Sequence, residues 1–288
     1  MATGVPAVAK DRLRCGGATS WQSAMELGHE AFEQRAVDAI GVQAPAGPVA
    51  SAAECFRLAV ELAPERFEPR VELLRALFFQ GEYAARSDAE RKAVFLEGRD
   101  FFERSLDLLS RDLGLDLRSL NPHQVARALD RRPEARPMFF FGAMHWGLWA
   151  DYFGNVAALR SGAAKRMREL GELCLALTPD IDSAGGHRLV GQLHAKVPRI
   201  VFVSMWIDRD RGLRELERAV QLGPENPLNL TFLAEALADL GRDRERARAL
   251  ITQVLEREPR PDHLVEDRKA IQRARNVQRN YRLERSGR

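Results

Sequence analysis

The sequence predicts an all-helical protein built from stacked antiparallel helix pairs. Apolar residues recur at spacings of three and four along almost every long segment of the 288-residue chain, which is the period of a helix with one buried face. Alternation of β-branched and polar residues, the mark of a half-buried strand, is scarce. Glycine and proline stand where the helical segments should end.

The helical period and this punctuation define the elements in chain order. The predicted helices span about residues 21–41, 50–63, 67–83, 88–110, 121–131, 136–160, 163–178, 184–197, 211–222, 227–240, 243–257 and 262–283. Residues 1–20 are predicted to be a flexible N-terminal segment and residues 284–288 a tail. The proline-rich stretch 130–137 predicts a joint between an N-terminal helical half, 21–132, and a C-terminal half, 133–283.

The second helix of several pairs repeats one pattern. A small residue is followed by a bulky one four positions later, a small one after three more and proline after five more. The matching sets are Ala52, Phe56, Ala59 and Pro64; Gly212, Leu216, Ala219 and Pro224; and Ala247, Ile251, Val254 and Pro259. This is the second half of a tetratricopeptide (TPR) repeat, in which small residues let two helices approach closely. The uneven proline spacing predicts a degenerate TPR-like α-solenoid with insertions, and such a stack leaves a concave face.

Composition excludes several classes of partner. The chain has 44 basic and 41 acidic residues and a formal charge of +3, which is too small to attract nucleic acid or an anionic membrane strongly. It contains no apolar run of about 18 residues, the length that a membrane-spanning helix requires. We therefore predict neither a nucleic-acid partner nor a transmembrane segment.

The cysteines and the start of the chain bear on the compartment. Cys15, Cys55 and Cys174 are widely spaced and odd in number, a pattern that indicates neither a disulfide framework nor a cysteine zinc site. Cys55 and Cys174 lie in apolar helical patterns and are predicted to be small core residues. The first residues lack the apolar core of a secretory signal, and Arg14 before Cys15 is unlike a lipoprotein cleavage site. As it stands, the sequence predicts a cytoplasmic protein.

The stretch "GGHRLVGQLHAKVPRI", residues 185–200, raises the question of a site. His187 and His194 share one helix face but stand roughly 10 Å apart along the axis, too far to hold one metal ion without further ligands. Ser183 is predicted to cap the helix at its N-terminus. Gly186, Gly191 and Ala195 form a small-residue stripe that predicts a closely packed neighbouring helix.

Two further stretches offer candidate cavity residues. "MFFFGAMHWGLWADYFGN", residues 138–155, places His145, Trp149 and Tyr152 on one face, and it is either a buried core helix or a cavity wall. Residues 198–212 form an apolar connection, which is unusual because connections normally run exposed over the surface. This connection is expected to be covered by the stack, inserted into the concave face or used as a partner-binding patch.

Taken in order, these features resemble the T component of TRAP transporters, the TatT family. The resemblance covers about residues 50–283 and depends on "FFERSLDLL", the short helix 121–131, "MFFFGAMHWGLWADY", "GGHRLVGQLHAKVP", "GLRELERAVQLGPENP" and "ARNVQRN". The most specific feature is the aromatic-rich helix followed by the Gly-Gly-x-His-Arg-Leu helix, which plain TPR arrays do not require.

The resemblance implies a TPR-like homo-oligomer with a central pore or cavity. Such a protein docks a periplasmic substrate-binding component and helps deliver small organic ligands to a membrane permease. Family members are typically exported, which implies a periplasmic location. Carried over by position, the candidate cavity or structural residues are His145, Trp149, His187, Arg188 and His194, and the predicted cavity set is completed by Trp146, Tyr152 and Trp206.

The leading hypothesis is therefore a non-enzymatic binding protein that holds a partner protein, a small organic ligand or both. The alternative is a cytoplasmic TPR scaffold that binds a peptide through its concave face. A hydrolase is a distant third, because the chain has no Gly-x-Ser-x-Gly elbow, phosphate loop or dinucleotide fingerprint. No catalytic residue, metal or cofactor is predicted.

Arg188 is expected to serve the fold rather than a ligand. It lies in the first turn of its predicted helix, where the helix dipole opposes a cation. The nearby carboxylates of Asp180 and Asp182 are predicted to hold its guanidinium. Arg188→Ala should then destabilise the protein, whereas His194→Ala should change stability little and ligand binding more.

Overall fold

The computed structural model describes Cys15 and residues 17–200 and 204–283, and in these residues the chain is all-helical without a β-strand. The helices pack in pairs, as the sequence predicts. They are α1 Trp21–Glu33, α2 Ala46–Leu62, α3 Glu68–Phe79, α4 Asp88–Leu113, α5 Pro122–Ala128, α6 Pro137–Phe153, α7 Asn155–Arg160, α8 Ala163–Leu177, α9 Ile181–Lys196, α10 Arg209–Leu222, α11 Pro227–Asp239, α12 Arg244–Leu255 and α13 Leu264–Asn280. Each of these helices is too short or too polar to cross a membrane.

Most helices begin and end within a few residues of the predicted positions, and one predicted helix is divided. Residues 136–160 form two helices, α6 and α7, separated at Gly154. Gly154 has φ +83°, a backbone conformation that a right-handed helix cannot contain and that glycine adopts without steric cost. The prediction of one continuous helix here is wrong for that reason.

The chain divides into two compact units between Ser161 and Gly162, whereas the sequence placed the division between residues 132 and 133. Unit 1 contains α1–α7 and unit 2 contains α8–α13. The aromatic helix α6 belongs to unit 1 because it packs against α3 and α4. The predicted tail, 284–288, and most of the predicted flexible segment lie outside the described residues.

In unit 1, glycines let aromatic rings pack directly onto the backbone of a neighbouring element. A Cβ atom on Gly28 of α1 would lie 2.5 Å from Phe56 of α2, far inside van der Waals contact. The same relation is found at four positions in all: Gly28 against Phe56, Gly81 against Phe95, Gly98 against His145 and Gly142 against Phe102. Each glycine therefore has the packing role that close-packed interiors demand.

Unit 2 uses the predicted small-bulky-small pattern in the same way. Leu216 of α10 is fully buried and packs onto Gly191 of α9, where a Cβ atom would lie 2.6 Å from its Cγ. Gly212 in turn lies against the backbone of His194 and Ala195, 2.9 Å from the Ala195 nitrogen by the same measure. The small-residue stripe on α9 therefore packs against a neighbouring helix, as predicted.

The cysteines depart from the prediction. Cys15 and Cys55 form a disulfide, with 5.3 Å between their Cα atoms, so the expectation of no disulfide is wrong. The two residues are 40 positions apart, and the bond joins Cys15, which precedes α1, to α2. Cys174 is free and buried, as predicted for a core residue.

Candidate functional site

His145 lies in the middle of the unit 1 core. The residue is 0% exposed, and its ring is 6.0 Å from the ring of Phe95. Its Nε2 atom lies 3.0 Å from the Leu74 carbonyl oxygen; since a carbonyl only accepts, Nε2 carries the proton. The Nδ1 atom is buried without a hydrogen-bond partner. This environment favours the neutral ring.

Burial lowers the pKa of His145 to about 4, although the hydrogen bond to Leu74 acts in the opposite direction. A histidine in the unfolded chain has a pKa of about 6.5, so between these values the unfolded state binds more protons. We expect the free energy of unfolding to fall by about 3 kcal/mol as the pH drops from about 6.5 to about 4. Urea denaturation at a series of pH values measures this.

The matched control for that titration is His145→Gln, which keeps a donor for the Leu74 carbonyl but does not titrate. Carboxylates elsewhere contribute equally to both proteins, so the difference between the two pH profiles belongs to His145. Parallel profiles would contradict the assignment of a buried neutral histidine.

The other aromatic candidates of α6 pack tightly around two neighbouring charges. The Trp146 Nε1 atom donates to Glu103 at 2.8 Å, and the Arg99 guanidinium lies 4.2 Å from the ring centroid of Trp149. Trp149 stacks on Phe153, with 5.2 Å between ring centroids. Tyr152 stacks on Phe95 at 5.6 Å. These contacts favour the interpretation of α6 as a packed core helix.

In unit 2, α9 begins with a left-handed turn. Asp182, Ser183 and Ala184 have φ values of 49°, 52° and 69°, which cost non-glycine residues roughly 1–2 kcal/mol each. The prediction of Ser183 as a simple N-cap is wrong, because its backbone is part of this turn. An unfavourable backbone conformation of this kind requires specific contacts to hold it.

Arg188 and Asn229 provide those contacts. Arg188 is 5% exposed; its Nη2 atom donates to the Asp182 carboxylate, and its Nη1 atom donates to the Asp182 carbonyl at 3.1 Å and to Asn229 Oδ1 at 2.8 Å. The Asn229 amide nitrogen donates to the Ser183 carbonyl at 2.9 Å. Of the two carboxylates predicted to hold Arg188, the structure pairs it with Asp182.

Beside this turn, four half-exposed side chains connect three helices and form what we call the polar row: Glu172 of α8, His187 of α9, and Arg211 and Glu215 of α10. His187 Nδ1 donates to Glu215 at 2.7 Å, and Arg211 donates two hydrogen bonds to Glu172 at 2.6 and 2.8 Å. The side chains are between 18% and 33% exposed. The hydrogen bond from His187 holds the pKa of Glu215 below its usual value, so this carboxylate stays ionised.

His194 is more deeply placed than His187. It is 2% exposed, and its Nδ1 atom accepts a hydrogen bond from the Asp208 amide at 2.9 Å. Its ring meets Trp206 edge-on, with 5.5 Å between centroids, and Arg168 lies 5.3 Å from the Trp206 centroid. Burial, followed by the Arg211 charge, lowers the pKa of His194. His194 thus fastens the start of α10 to α9.

The eight predicted site residues fall into two groups. His145, Trp146, Trp149 and Tyr152 cluster in unit 1, and His187, Arg188, His194 and Trp206 lie in unit 2. Two surface clefts, of about 390 and 520 Å³, are lined by none of the eight. The sequence reasoning missed Glu172, Arg211, Glu215 and Asn229, which lie on other helices and carry no local motif.

In the described part of the chain, neither His187 nor His194 is hydrogen-bonded to a hydroxyl or thiol, and no set of three or more His, Cys, Asp or Glu side chains could hold a metal ion. Comparison of the chain with protein-family models and with curated proteins finds no match. The arrangement presents polar and charged side chains at a partly exposed surface.

Proposed function

We propose that this chain is a non-enzymatic binding protein similar to the T component of TRAP transporters. It is a TPR-like stack that docks a substrate-binding protein, holds a small organic ligand in a helical cavity, or does both, and it acts as a homo-oligomer. The polar row carries the proposal. It presents an ordered set of charged groups on three successive helices at a partly exposed surface, where these side chains are not part of the buried hydrophobic core.

The polar row suits binding because its groups are already oriented. Each carboxylate is held by a cation or by His187. These side chains are therefore already ordered, and they lose little further conformational freedom when a partner binds. The groups nevertheless remain open enough to accept further hydrogen bonds. Preorganised charged groups at a surface raise specificity more than they raise raw affinity.

The Cys15–Cys55 disulfide supports a periplasmic location for this function. Disulfides persist in oxidising compartments such as the bacterial periplasm and are rare in the cytosol. This observation favours the transporter-related role over the alternative, a cytoplasmic TPR scaffold that binds a peptide. The small-bulky-small packing of α10 is compatible with both.

The test is calorimetric titration of the full chain with the substrate-binding protein of a TRAP transporter from the same organism. We expect binding, and we expect Arg211→Met to weaken it about tenfold, equivalent to about 1.4 kcal/mol, because Glu172 loses the cation that orients it and Glu215 loses the guanidinium nitrogen 3.7 Å from its carboxylate. Native mass spectrometry of the same samples reports any small acid that remains bound.

The matched control is Arg246→Met, which removes an ion pair with Glu217 elsewhere in unit 2. Arg246 is 45% exposed, so this change should leave both binding and stability close to those of the parent. If the parent binds no substrate-binding protein but does bind extended peptides, the scaffold alternative replaces the proposal. Turnover of an ester or amide substrate that depends on His187 would replace both.

A further inference from the structure

The described part of the connection between α9 and α10 contains two exposed apolar side chains. Ile200 is 51% exposed and Met205 is 54% exposed, and Trp206 beside them is half-buried. Single exposed apolar residues are common on protein surfaces and need no explanation. The way in which these residues are held is what sets them apart.

A buried serine makes hydrogen bonds to the backbone beside these exposed side chains. Ser204 is 1% exposed; its hydroxyl donates to the Pro198 carbonyl at 2.6 Å and accepts from the Ile200 amide at 2.9 Å. Its own amide donates to the Ile200 carbonyl at 2.9 Å. Arg199 Nε donates to the Met205 carbonyl at 3.3 Å. Ile200 and Met205 are therefore held in place at the surface by the backbone around them.

Three arginines lie beside these apolar side chains, and in the described residues none of them is paired with a carboxylate. The Arg168 guanidinium lies over the Trp206 ring, Arg199 bonds the Met205 carbonyl, and Arg209 Nη1 bonds the His194 carbonyl at 2.8 Å. In the part of the chain that the structure describes, none of the three forms an ion pair. Most other arginines of unit 2 are paired with Asp or Glu, for example Arg211 with Glu172 and Arg273 with Glu235.

We propose that Ile200, Met205 and Trp206, together with Arg168, Arg199 and Arg209, form a docking patch for an amphipathic, acidic segment of a partner protein. Aromatic residues, methionine and arginine are the residue types enriched at protein interfaces. The apolar side chains take the partner's apolar face, and the unpaired guanidinium groups take its carboxylates. The docking patch shares no residue with the polar row. It rests on the proposed function only because both proposals make this chain a binding protein.

An acidic protein segment fits the patch better than an anionic membrane. Recognition of anionic lipid typically uses about four to eight clustered Lys or Arg residues, whereas this patch has three, and the whole chain carries only +3. Trp206 is also packed edge-on against His194 and is not free to insert into a bilayer. Guanidinium groups, in contrast, match carboxylates in bidentate geometry.

The test uses the full chain and two synthetic helical peptides that share a leucine face and differ only in carrying glutamates or lysines opposite it. Fluorescence anisotropy should show the glutamate peptide binding at least about tenfold more tightly than the lysine peptide, with affinity that falls as salt is added. Arg168→Gln combined with Arg199→Gln should weaken it at least about fivefold, as should Ile200→Ser combined with Met205→Ser.

Two controls separate the patch from general effects. Ile40→Ser changes an 85% exposed apolar residue in unit 1 and should leave peptide binding unchanged, and Arg246→Met, which removes a 45% exposed arginine of α12, should do the same. Equal affinity for the two peptides, or no response to the patch substitutions, overturns the proposal. Patch-dependent binding to phosphatidylglycerol vesicles without preference for the acidic peptide would assign the surface to a membrane and likewise overturn it.

Discussion

Replacing Arg188 with alanine is expected to lower the free energy of unfolding by about 3 kcal/mol. Breaking a buried charge pair by removing one partner typically costs about 3–5 kcal/mol, and the lower end applies here because the Asp182 side chain is 44% exposed. The substitution leaves the Asn229 side-chain oxygen without its 2.8 Å donor. It also releases the left-handed turn at the start of α9.

Urea denaturation followed by circular dichroism measures the effect. Arg188→Lys should recover only a small part of the loss, because a lysine ammonium cannot bridge Asp182 and Asn229 as the planar guanidinium does. Arg218→Ala is the matched control: Arg218 is on α10 and makes one exposed hydrogen bond to Gln221. If Arg188→Ala unfolds at the same urea concentration as the parent, Arg188 does not hold the turn.

His194→Ala is no longer expected to be neutral for stability. The sequence placed His194 on the side of a cavity, but the residue is buried and accepts the Asp208 amide hydrogen bond. Removing it leaves that amide unpaired beside a void, so His194 is a poor choice as the stability control for Arg188.

Loss of the Cys15–Cys55 disulfide is expected to cost about 4 kcal/mol. The bond closes a loop between residues 40 positions apart, and the loop-closure entropy that it removes from the unfolded chain corresponds to this amount. Chemical denaturation of the parent with and without dithiothreitol should show the difference. Cys15→Ala combined with Cys55→Ala should resemble the reduced parent and should no longer respond to the reductant.

Counting thiols provides the control for that experiment. Alkylation of the denatured, unreduced protein should modify Cys174 alone, and alkylation after reduction should modify all three cysteines. A count of three without reduction would contradict the disulfide. Cys174→Ala should leave the response to reductant unchanged, because Cys174 has no covalent partner.

Local signals in the sequence were enough to predict the helices but not the contacts between them. Helical period and punctuation are properties of neighbouring residues, so the bounds of α8, Ala163–Leu177, lie close to the predicted 163–178. The turn at residues 182–184 depends on Arg188 and on Asn229, and Asn229 lies 41 positions beyond Arg188. The unit boundary depends on how α6 packs, and neither its period nor its composition contains that information.

The candidate site shows the same limit. His187, Arg188 and His194 could be singled out because histidine and arginine are conspicuous on a small-residue helix. Glu172 and Glu215 are ordinary acidic residues on ordinary amphipathic helices, and only tertiary packing places them beside Arg211 and His187. A charged residue that acts through a distant partner leaves no local trace in a single sequence.

The rings that pack onto glycines in unit 1 constrain how this chain can change over generations. Any side chain added at Gly98 would overlap the ring of His145, so a change at Gly98 is tolerated only after His145 has become smaller. A smaller residue at 145 opposite an unchanged glycine leaves a void, which is also unfavourable. The two positions are therefore expected to change together, so that related sequences retain both residues or replace both.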